Sequence, residues 1–309
     1  MIEVQGISHA FGGKPVLHDV WFEVPRGEVL GFIGPNGAGK TTTLRMMATL
    51  LDPMQGRILV DGIDVAEEPT EVRRRIGFMP DGFGVYENVT VDEYLEFFAS
   101  AHGLPKASRG RTVDAVMELT DLGGLREKLV ATMSKGMRQR LAIARTLLHD
   151  PKVLLLDEPA NGLDPRARIE MRELIDQLRG MGKTIVLSSH ILTELSDMVT
   201  SVVILERGRV AASGPVDRIA DRLRPERALR MRLLAYPEGL EAIFGSVEGV
   251  RLVERGPDGD LRLVFEGGDA TVARAVSAAV AAGLSVVRVE PERDDLERIF
   301  LEVTRGEVQ

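Results

Sequence analysis

The sequence predicts an α/β protein built on a parallel β-sheet, followed by a smaller α+β domain. A glycine-rich loop at 34–41 lies between a short apolar run and a segment that can form a helix. Two further apolar runs, at 153–156 and 184–187, each end in polar residues. Continuous apolar runs of this length are typical of strands buried on both faces of a parallel sheet. The last third of the chain, from residue 228, has the order β-α-β-β-α-β, which is typical of ferredoxin-like domains.

The length of 309 residues predicts two domains of unequal size. We expect the first at 1–221 and the second at 228–309, with a polar linker at 222–227. In the second domain the strands are expected at 228–234, 250–254, 261–265 and 285–289, the helices at 239–244 and 270–282, and a terminal helix at 296–303. No phosphate-binding motif occurs in this domain, so we expect it to serve regulation, dimer support or docking.

Composition excludes several classes of protein. The net charge of −8 argues against a nucleic-acid-binding protein, because such proteins carry basic surfaces. The absence of cysteine excludes disulfides and thiolate metal sites. No apolar run approaches the roughly 18 residues that span a bilayer, and the N-terminus lacks a signal-peptide pattern. We therefore expect a soluble, cytoplasmic protein, for which any role at a membrane must come through a partner.

The loop Gly34-Pro35-Asn36-Gly37-Ala38-Gly39-Lys40-Thr41 matches the triphosphate-binding pattern G-x-x-x-x-G-K-[ST]. Its glycines let backbone N–H groups approach phosphates, and the following helix contributes positive charge at its N-terminus. We expect Lys40 to reach the β- and γ-phosphates and the Thr41 hydroxyl to hold Mg²⁺. The alternative is a glycine-rich turn that matches by accident, which the later motifs disfavour.

The segments around this loop predict a small antiparallel sheet. Strand patterns occur at 2–5, 20–24 and 56–62, with a turn at 11–15. Phe11 could stack on an adenine ring, although taken alone it is an ordinary core residue. We also expect Trp21 to be a core residue.

Residues 88–150 have helical patterns. Thr90 can cap a helix at 91–98, and a second helix is expected at 112–119 after a polar loop at 106–111. A third helix is expected from Ser134 to about residue 149. Its start is either a simple capped helix or an anion site formed with Gly136.

The apolar run at 153–156 ends in two carboxylates, where α/β sheets bind ligands. Asp157 is suited to holding Mg²⁺ through water, and Glu158 to orienting an attacking water or taking its proton. His190 ends the run that begins at 184 and would lie near a γ-phosphate. The alternatives are a polar turn for the two acids and a structural role for the histidine.

Residues 1–220, about two-thirds of the chain, resemble the ATP-binding subunits of ABC transporters. The resemblance depends on motifs at 34–41, 133–137 (followed by Arg-Gln-Arg), 153–158, 160–164 and 190, in the order of that family. It implies a P-loop NTPase fold with a RecA-like core, an antiparallel β subdomain and a helical subdomain.

The resemblance also implies a head-to-tail homodimer that binds ATP and Mg²⁺. Each ATP would lie between the glycine loop of one subunit and Ser134 and Gly136 of the other, with Asp164 joining the two sites. The residues expected at the nucleotide are Phe11, Gly34, Pro35, Asn36, Gly37, Ala38, Gly39, Lys40, Thr41, Thr42, Ser134, Gly136 and Asp164; those at the metal are Thr41, Asp157 and Asp81; those in catalysis are Glu158, His190 and Lys40.

Two departures from the family pattern resemble exporter-type members, in which they occur together, and this resemblance implies export. Lys135 and Met137 replace the first glycine and the glutamine of L-S-G-G-Q, and Asp81 replaces the usual glutamine after 78–80. The expected protein is thus an ATPase that drives a membrane permease from the inner face of the cell membrane. The alternative is a soluble ABC-type ATPase in translation or DNA repair, but the chain lacks a second cassette and a coiled-coil insertion. A P-loop kinase is disfavoured by the 134–136 helix start and by Glu158-Pro159.

Overall fold

The computed structural model describes residues 1–291, apart from 83, 85, 87, 192–194, 196–197, 217, 220–225 and 256–258. The chain divides into two compact units, the first comprising residues 1–216 and the second lying within 217–302. The domain limit predicted at 221 lies outside the described residues, and the predicted limits stay a prediction.

The first unit contains a six-stranded sheet in the order β10-β9-β3-β8-β7-β6. All neighbouring strands in it run parallel except the pair β9 and β10. Its strands are β3 (Val29–Ile33), β6 (Ile76–Met79), β7 (Val153–Asp157), β8 (Thr184–Ser189), β9 (Ser201–Glu206) and β10 (Arg209–Pro215). Every residue of β3, β7 and β8 is buried, as the continuous apolar runs predicted. The predicted parallel-sheet fold is therefore confirmed, although β6 was not predicted.

A second sheet of the first unit is antiparallel, in the order β2-β1-β4-β5. Its strands are β1 (Ile2–Phe11), β2 (Lys14–Val24), β4 (Gln55–Val60) and β5 (Ile63–Asp64). The prediction that Trp21 is a core residue was wrong, because its side chain is 57% exposed. Buried and exposed residues alternate along β2, so Trp21 faces outward between buried Val20 and Phe22. Its indole lies over Gly6 and donates a hydrogen bond to Asp19 at 2.7 Å.

Helices begin where they were predicted, after the glycine loop, at Thr90 and at Ser134, whereas the helix at Pro69–Arg73 was not predicted. The helices of the first unit are α1 (Lys40–Met47), α2 (Pro69–Arg73), α3 (Val91–Ala101), α4 (Lys106–Leu119), α5 (Lys135–Leu147) and α6 (Pro165–Gly180), with single 3₁₀ turns at Gly123–Leu125 and Val130–Thr132. The loop predicted at 106–111 is wrong, because α4 begins at Lys106 directly after Pro105. Burial of Val113, Val116 and Met117 holds this helix in place despite its polar first half.

The second unit has the predicted β-α-β-β-α-β order. Its elements are β11 (Glu226–Leu233), α7 (Leu240–Gly245), β12 (Val250–Arg255), β13 (Leu261–Glu266), α8 (Asp269–Ala281) and β14 (Val286–Pro291). The strands form an antiparallel sheet in the order β12-β13-β11-β14. The linker predicted at 222–227 is wrong at its end, where β11 has already begun, and the helix predicted at 296–303 lies outside the described residues.

The N-terminus of α3 is stabilised by a reciprocal pair of side-chain hydrogen bonds. The Thr90 hydroxyl accepts from the Glu93 N–H at 3.2 Å, and the Glu93 carboxylate accepts from the Thr90 N–H at 2.8 Å. Two N–H groups that the helix leaves without partners are thereby satisfied. This confirms the predicted cap.

We expect Thr90→Ala to lower the free energy of unfolding by about 1 kcal/mol, because the Glu93 N–H loses its acceptor. Urea unfolding of the variant and the wild type measures the difference. Thr90→Ser keeps the hydroxyl and is the control, with stability near that of the wild type. Equal stability of the alanine variant would contradict the assignment of the cap.

Candidate nucleotide-binding site

The register of the parallel strands brings the polar motifs to one edge of the sheet. Asp157 at the end of β7 lies opposite Ser188 in β8, and Ile33 at the end of β3 lies opposite Ser189. The loop after β3, the acids at the end of β7 and His190 after β8 therefore meet at the carboxyl ends of the strands. Ligands of α/β proteins bind at this edge.

A cavity of about 550 Å³ lies at this edge. Its lining residues are Phe11, Val16, Asn36, Gly37, Gly39, Lys40, Thr41, Thr42, Asp81, Glu158, Asn161 and His190. Sequence analysis missed two of them, Val16 and Asn161. Asn161 belongs to the 160–164 motif and could have been found there, whereas Val16 follows the β1–β2 turn and carries no local signal. Phe11 is 49% exposed, so the interpretation of Phe11 as a core residue is wrong.

Two glycines of the 34–41 loop occupy positions that exclude a side chain. A Cβ on Gly34 would lie 2.3 Å from the Leu205 carbonyl oxygen. Gly39 has φ 109°, and a Cβ there would lie 2.4 Å from Leu17. The loop can take this path only with glycine at both positions.

Lys40 is buried beneath the loop and is bound to it. Its Nζ donates to the carbonyl oxygen of Gly34 at 2.7 Å and to that of Pro35 at 3.3 Å. The Glu158 carboxylate lies 3.6 Å away. Burial lowers the pKa of Lys40, and the charges of Glu158 and Asp157 partly offset this effect. A bound phosphate would give the ammonium group an additional anionic partner.

Asp157 is 1% exposed, and only one of its two carboxylate oxygens has a hydrogen-bond partner among the described residues. Its Oδ1 accepts a hydrogen bond from the Ser188 hydroxyl at 2.5 Å, whereas its buried Oδ2 has no hydrogen-bond partner among the described residues. Burial raises the pKa of Asp157, and the hydroxyls of Ser188 and Thr41 lower it in part. The charge of Asp81 raises it further.

An oxygen-seeking cation fits this arrangement. A free carboxylate oxygen beside a threonine hydroxyl is a donor set that suits Mg²⁺. The described residues contain no group of three or more His, Asp or Glu side chains that could hold a metal alone. Mg²⁺ usually completes its coordination with water and substrate phosphates, so a sparse protein site is the expected kind.

Glu158 is held at both its backbone and its side chain. Its φ of 52° is left-handed, which is uncommon for a residue other than glycine. Its N–H donates to the Ser188 hydroxyl at 2.9 Å, and its Oε2 lies 2.8 Å from His190 Nδ1. The carboxylate is thus held between His190 and Lys40.

The remaining residues predicted at the nucleotide do not line the first cavity. Gly34, Pro35 and Ala38 belong to the loop but do not line the first cavity. Ser134, Gly136 and Asp164 line a separate cavity of about 420 Å³, which shares no lining residue with the first. Ser134 caps α5 through the Met137 N–H at 3.3 Å. Asp164 caps α6 through the Ala167 N–H at 2.8 Å. Residues from the N-termini of both helices line this second cavity, and the positive end of α5 suits an anion.

Comparison with known proteins identifies the family. A family model described as ABC transporter matches residues 17–161. The ABC transporter ATP-binding protein NatA of Bacillus subtilis (strain 168) is 40% identical over 234 residues, which cover 73% of this chain and 94% of NatA. The daunorubicin resistance ATP-binding protein DrrA3 of Streptomyces coeruleorubidus is 39% identical over 218 residues, covering 71% of this chain and 69% of DrrA3. A solved structure of an ATP-binding subunit of an ABC transporter matches with a TM-score of 0.65 at 36% identity, covering 72% of this chain and 92% of that one.

The chain therefore belongs to the ATP-binding subunits of ABC transporters, a family of ATPases that bind and hydrolyse ATP. The predicted family, the P-loop fold of the first unit and the ATPase activity are confirmed. None of the helices in the described part of the chain has both the length and the hydrophobicity that a membrane span needs.

We expect Asp157→Asn to raise the free energy of unfolding of the nucleotide-free protein at pH 7. The folded-state pKa of Asp157 is raised, so its ionised form opposes folding above its usual pKa, and this penalty disappears as the pH falls through the carboxyl range. The advantage of the variant should therefore shrink between pH 7 and pH 4. Urea unfolding in EDTA at both pH values measures it, with exposed Asp52→Asn as the control. An asparagine variant less stable than the wild type at pH 7 would contradict the argument.

Proposed function

We propose that this member of the ABC ATP-binding subunits drives a membrane exporter by hydrolysing Mg²⁺·ATP in a head-to-tail dimer. The observation that carries this proposal is the separation of the motifs into two cavities. Lys40, Glu158 and His190 line one cavity, and Ser134 and Gly136 line the other. A second copy of the chain would bring the two halves together on one nucleotide.

In the first cavity, the adenine ring would stack on the exposed face of Phe11, and the loop from Gly34 to Thr42 would hold the phosphates. Thr41, Asp157 and Asp81 would hold Mg²⁺, which supplies positive charge to the phosphate oxygens. Lys40 would exchange part of its bonding to the loop for the β- and γ-phosphates.

Glu158 is the proposed catalytic base. Its Oε2 lies 2.8 Å from His190 Nδ1, and its Oε1 lies 3.6 Å from Lys40 Nζ. Once Lys40 binds the phosphates, Oε1 would be the oxygen available to a water in the cavity. That oxygen would orient the water in line with the γ-phosphate and accept its proton. His190 would keep the carboxylate in this orientation and contact the γ-phosphate.

The second chain would complete the site from its own α5. The Ser134 hydroxyl and the N–H groups near Gly136 lie at the positive end of a 13-residue helix. A γ-phosphate is the kind of anion that such a helix end binds. Asp164, which lies in the same cavity, would link the two nucleotide sites across the dimer.

An integral membrane permease is the proposed partner, and the inner face of the cell membrane the proposed location. The relative DrrA3 is named for daunorubicin resistance, and the replacements at Lys135, Met137 and Asp81 also support export. The second unit would serve regulation, dimer support or docking in this complex. No observation favours the alternative of a soluble ATPase in translation or DNA repair.

We expect Glu158→Gln to lower the hydrolysis rate by at least about 100-fold, because general base catalysis contributes roughly 10²–10⁴-fold. ATP binding should persist, and ATP should drive the variant into a dimer on size-exclusion chromatography. The matched control is Glu173→Gln on the exposed face of α6, which should hydrolyse ATP normally. Normal turnover of Glu158→Gln would exclude it as the base, and a monomer in saturating ATP would exclude the dimer.

We expect the tagged Glu158→Gln protein, with ATP, to co-purify with an integral membrane protein in stoichiometric amount from its own membranes. The closed dimer should hold the permease for long enough to be isolated. The same purification without ATP is the control. Recovery of ribosomes or soluble proteins alone would overturn the exporter proposal in favour of the soluble alternative.

A further inference from the structure

We propose that Ser188 is a positioning residue that orients both the metal-binding carboxylate and the catalytic base. The inference rests on the proposed function, since it assigns the metal to Asp157 and the base to Glu158. Ser188 is completely buried, and neither residue type nor spacing singled it out in the sequence. Its place opposite Asp157 follows from the register of β7 and β8.

The hydrogen bonds of Ser188 leave only one orientation for its hydroxyl proton. The Glu158 N–H at 2.9 Å can only donate, so the Ser188 oxygen accepts there. Its own proton therefore points to Asp157 Oδ1 at 2.5 Å. The Ser188 hydroxyl thus makes one hydrogen bond to the Asp157 carboxylate and another to the backbone N–H of Glu158.

For Asp157, this hydrogen bond decides which oxygen is available. Oδ1 is occupied by Ser188, and Oδ2 is the buried oxygen without a partner among the described residues. Without the hydroxyl, both oxygens would compete for the cation and the carboxylate could rotate. Hydrogen bonds to the ligands of a metal commonly determine their orientation in this way.

For Glu158, the same hydroxyl holds a strained backbone. A left-handed conformation is energetically unfavourable for a residue other than glycine and persists only where its surroundings enforce it. Ser188 holds the Glu158 N–H, and His190, two residues further along, holds its carboxylate at 2.8 Å. Ser188 and His190 thus hold Glu158 at its N–H and at Oε2, and Oε1 lies beside Lys40 Nζ at 3.6 Å, where both side chains line the cavity.

The neighbouring Ser189 provides a matched control. It is also buried, but its hydroxyl accepts from the Ile191 N–H at 2.9 Å and donates to the Ile191 carbonyl oxygen at 3.1 Å. These contacts lie within its own turn rather than with β7. Removing either hydroxyl makes the same chemical change in a buried site, and of the two hydroxyls that of Ser188 is the one bonded to both acids.

The test compares Ser188→Ala, Ser188→Thr and Ser189→Ala in the full chain. The first readout is the affinity for Mn²⁺ in the presence of ADP, measured by electron paramagnetic resonance. This measurement needs no ATP turnover. The second is the steady-state kcat and KM for ATP. Circular dichroism and ADP binding in EDTA check the fold, and Ser188→Cys replaces the alanine variant should that variant not fold.

We expect Ser188→Ala to weaken Mn²⁺ binding and to lower kcat, each by about 10- to 100-fold, with KM for ATP nearly unchanged. Ser188→Thr keeps the hydroxyl and should recover most of both losses, and Ser189→Ala should resemble the wild type. If the wild type is active but Ser188→Ala and Ser189→Ala have equal Mn²⁺ affinity and equal kcat, the inference about Ser188 is wrong and the proposed function stands. A wild type without ATP hydrolysis would overturn the proposed function, and the inference with it.

Discussion

The register between β7 and β8 is the constraint on which the rest of the site depends. Because parallel strands pair residue by residue, Asp157 lies opposite Ser188 and the backbone of Glu158 lies within reach of the same hydroxyl. A shift of one residue would turn every side chain of a strand to the other face. Both strands are buried along their whole length, so packing on both faces prevents such a shift. The positions of Asp157 and Glu158 are therefore determined by core packing.

Without a ligand, the charged side chains at this edge of the sheet lie in an unfavourable, buried environment. Burial lowers the pKa of Lys40 and raises that of Asp157, so desolvation opposes the charged form of each group. The two groups offset each other only in part, because Lys40 also lies beside Glu158. Mg²⁺ and phosphates would add charges of both signs at once. Buried groups with perturbed pKa values, such as Lys40 and Asp157, are typical of functional sites.

Local patterns in the sequence predicted the parts of the site that depend on local structure. The glycine loop, the ends of β7 and β8 and the Ser134 cap follow from a few neighbouring residues each. Ser188 and Val16 could not be recognised in this way, since their importance comes from partners far along the chain. The 106–111 segment was misjudged because its polar residues lie at the start of a helix that the buried residues further along hold in place. The pairing of Ser134 with Lys40 depends on a second chain and stays a proposal.

The outward orientation of Trp21 has a consequence for optical measurements. It is the single tryptophan of the chain, so it dominates the intrinsic fluorescence. Its indole is already 57% exposed in the folded protein, and its emission wavelength would shift little when the chain unfolds. It also lies on the antiparallel sheet and is absent from the lining of the cavity that contains Lys40. Fluorescence of the wild type would therefore be a poor reporter of both unfolding and nucleotide binding, and a tryptophan placed at Phe11 would combine a ring for stacking with a reporter at the site.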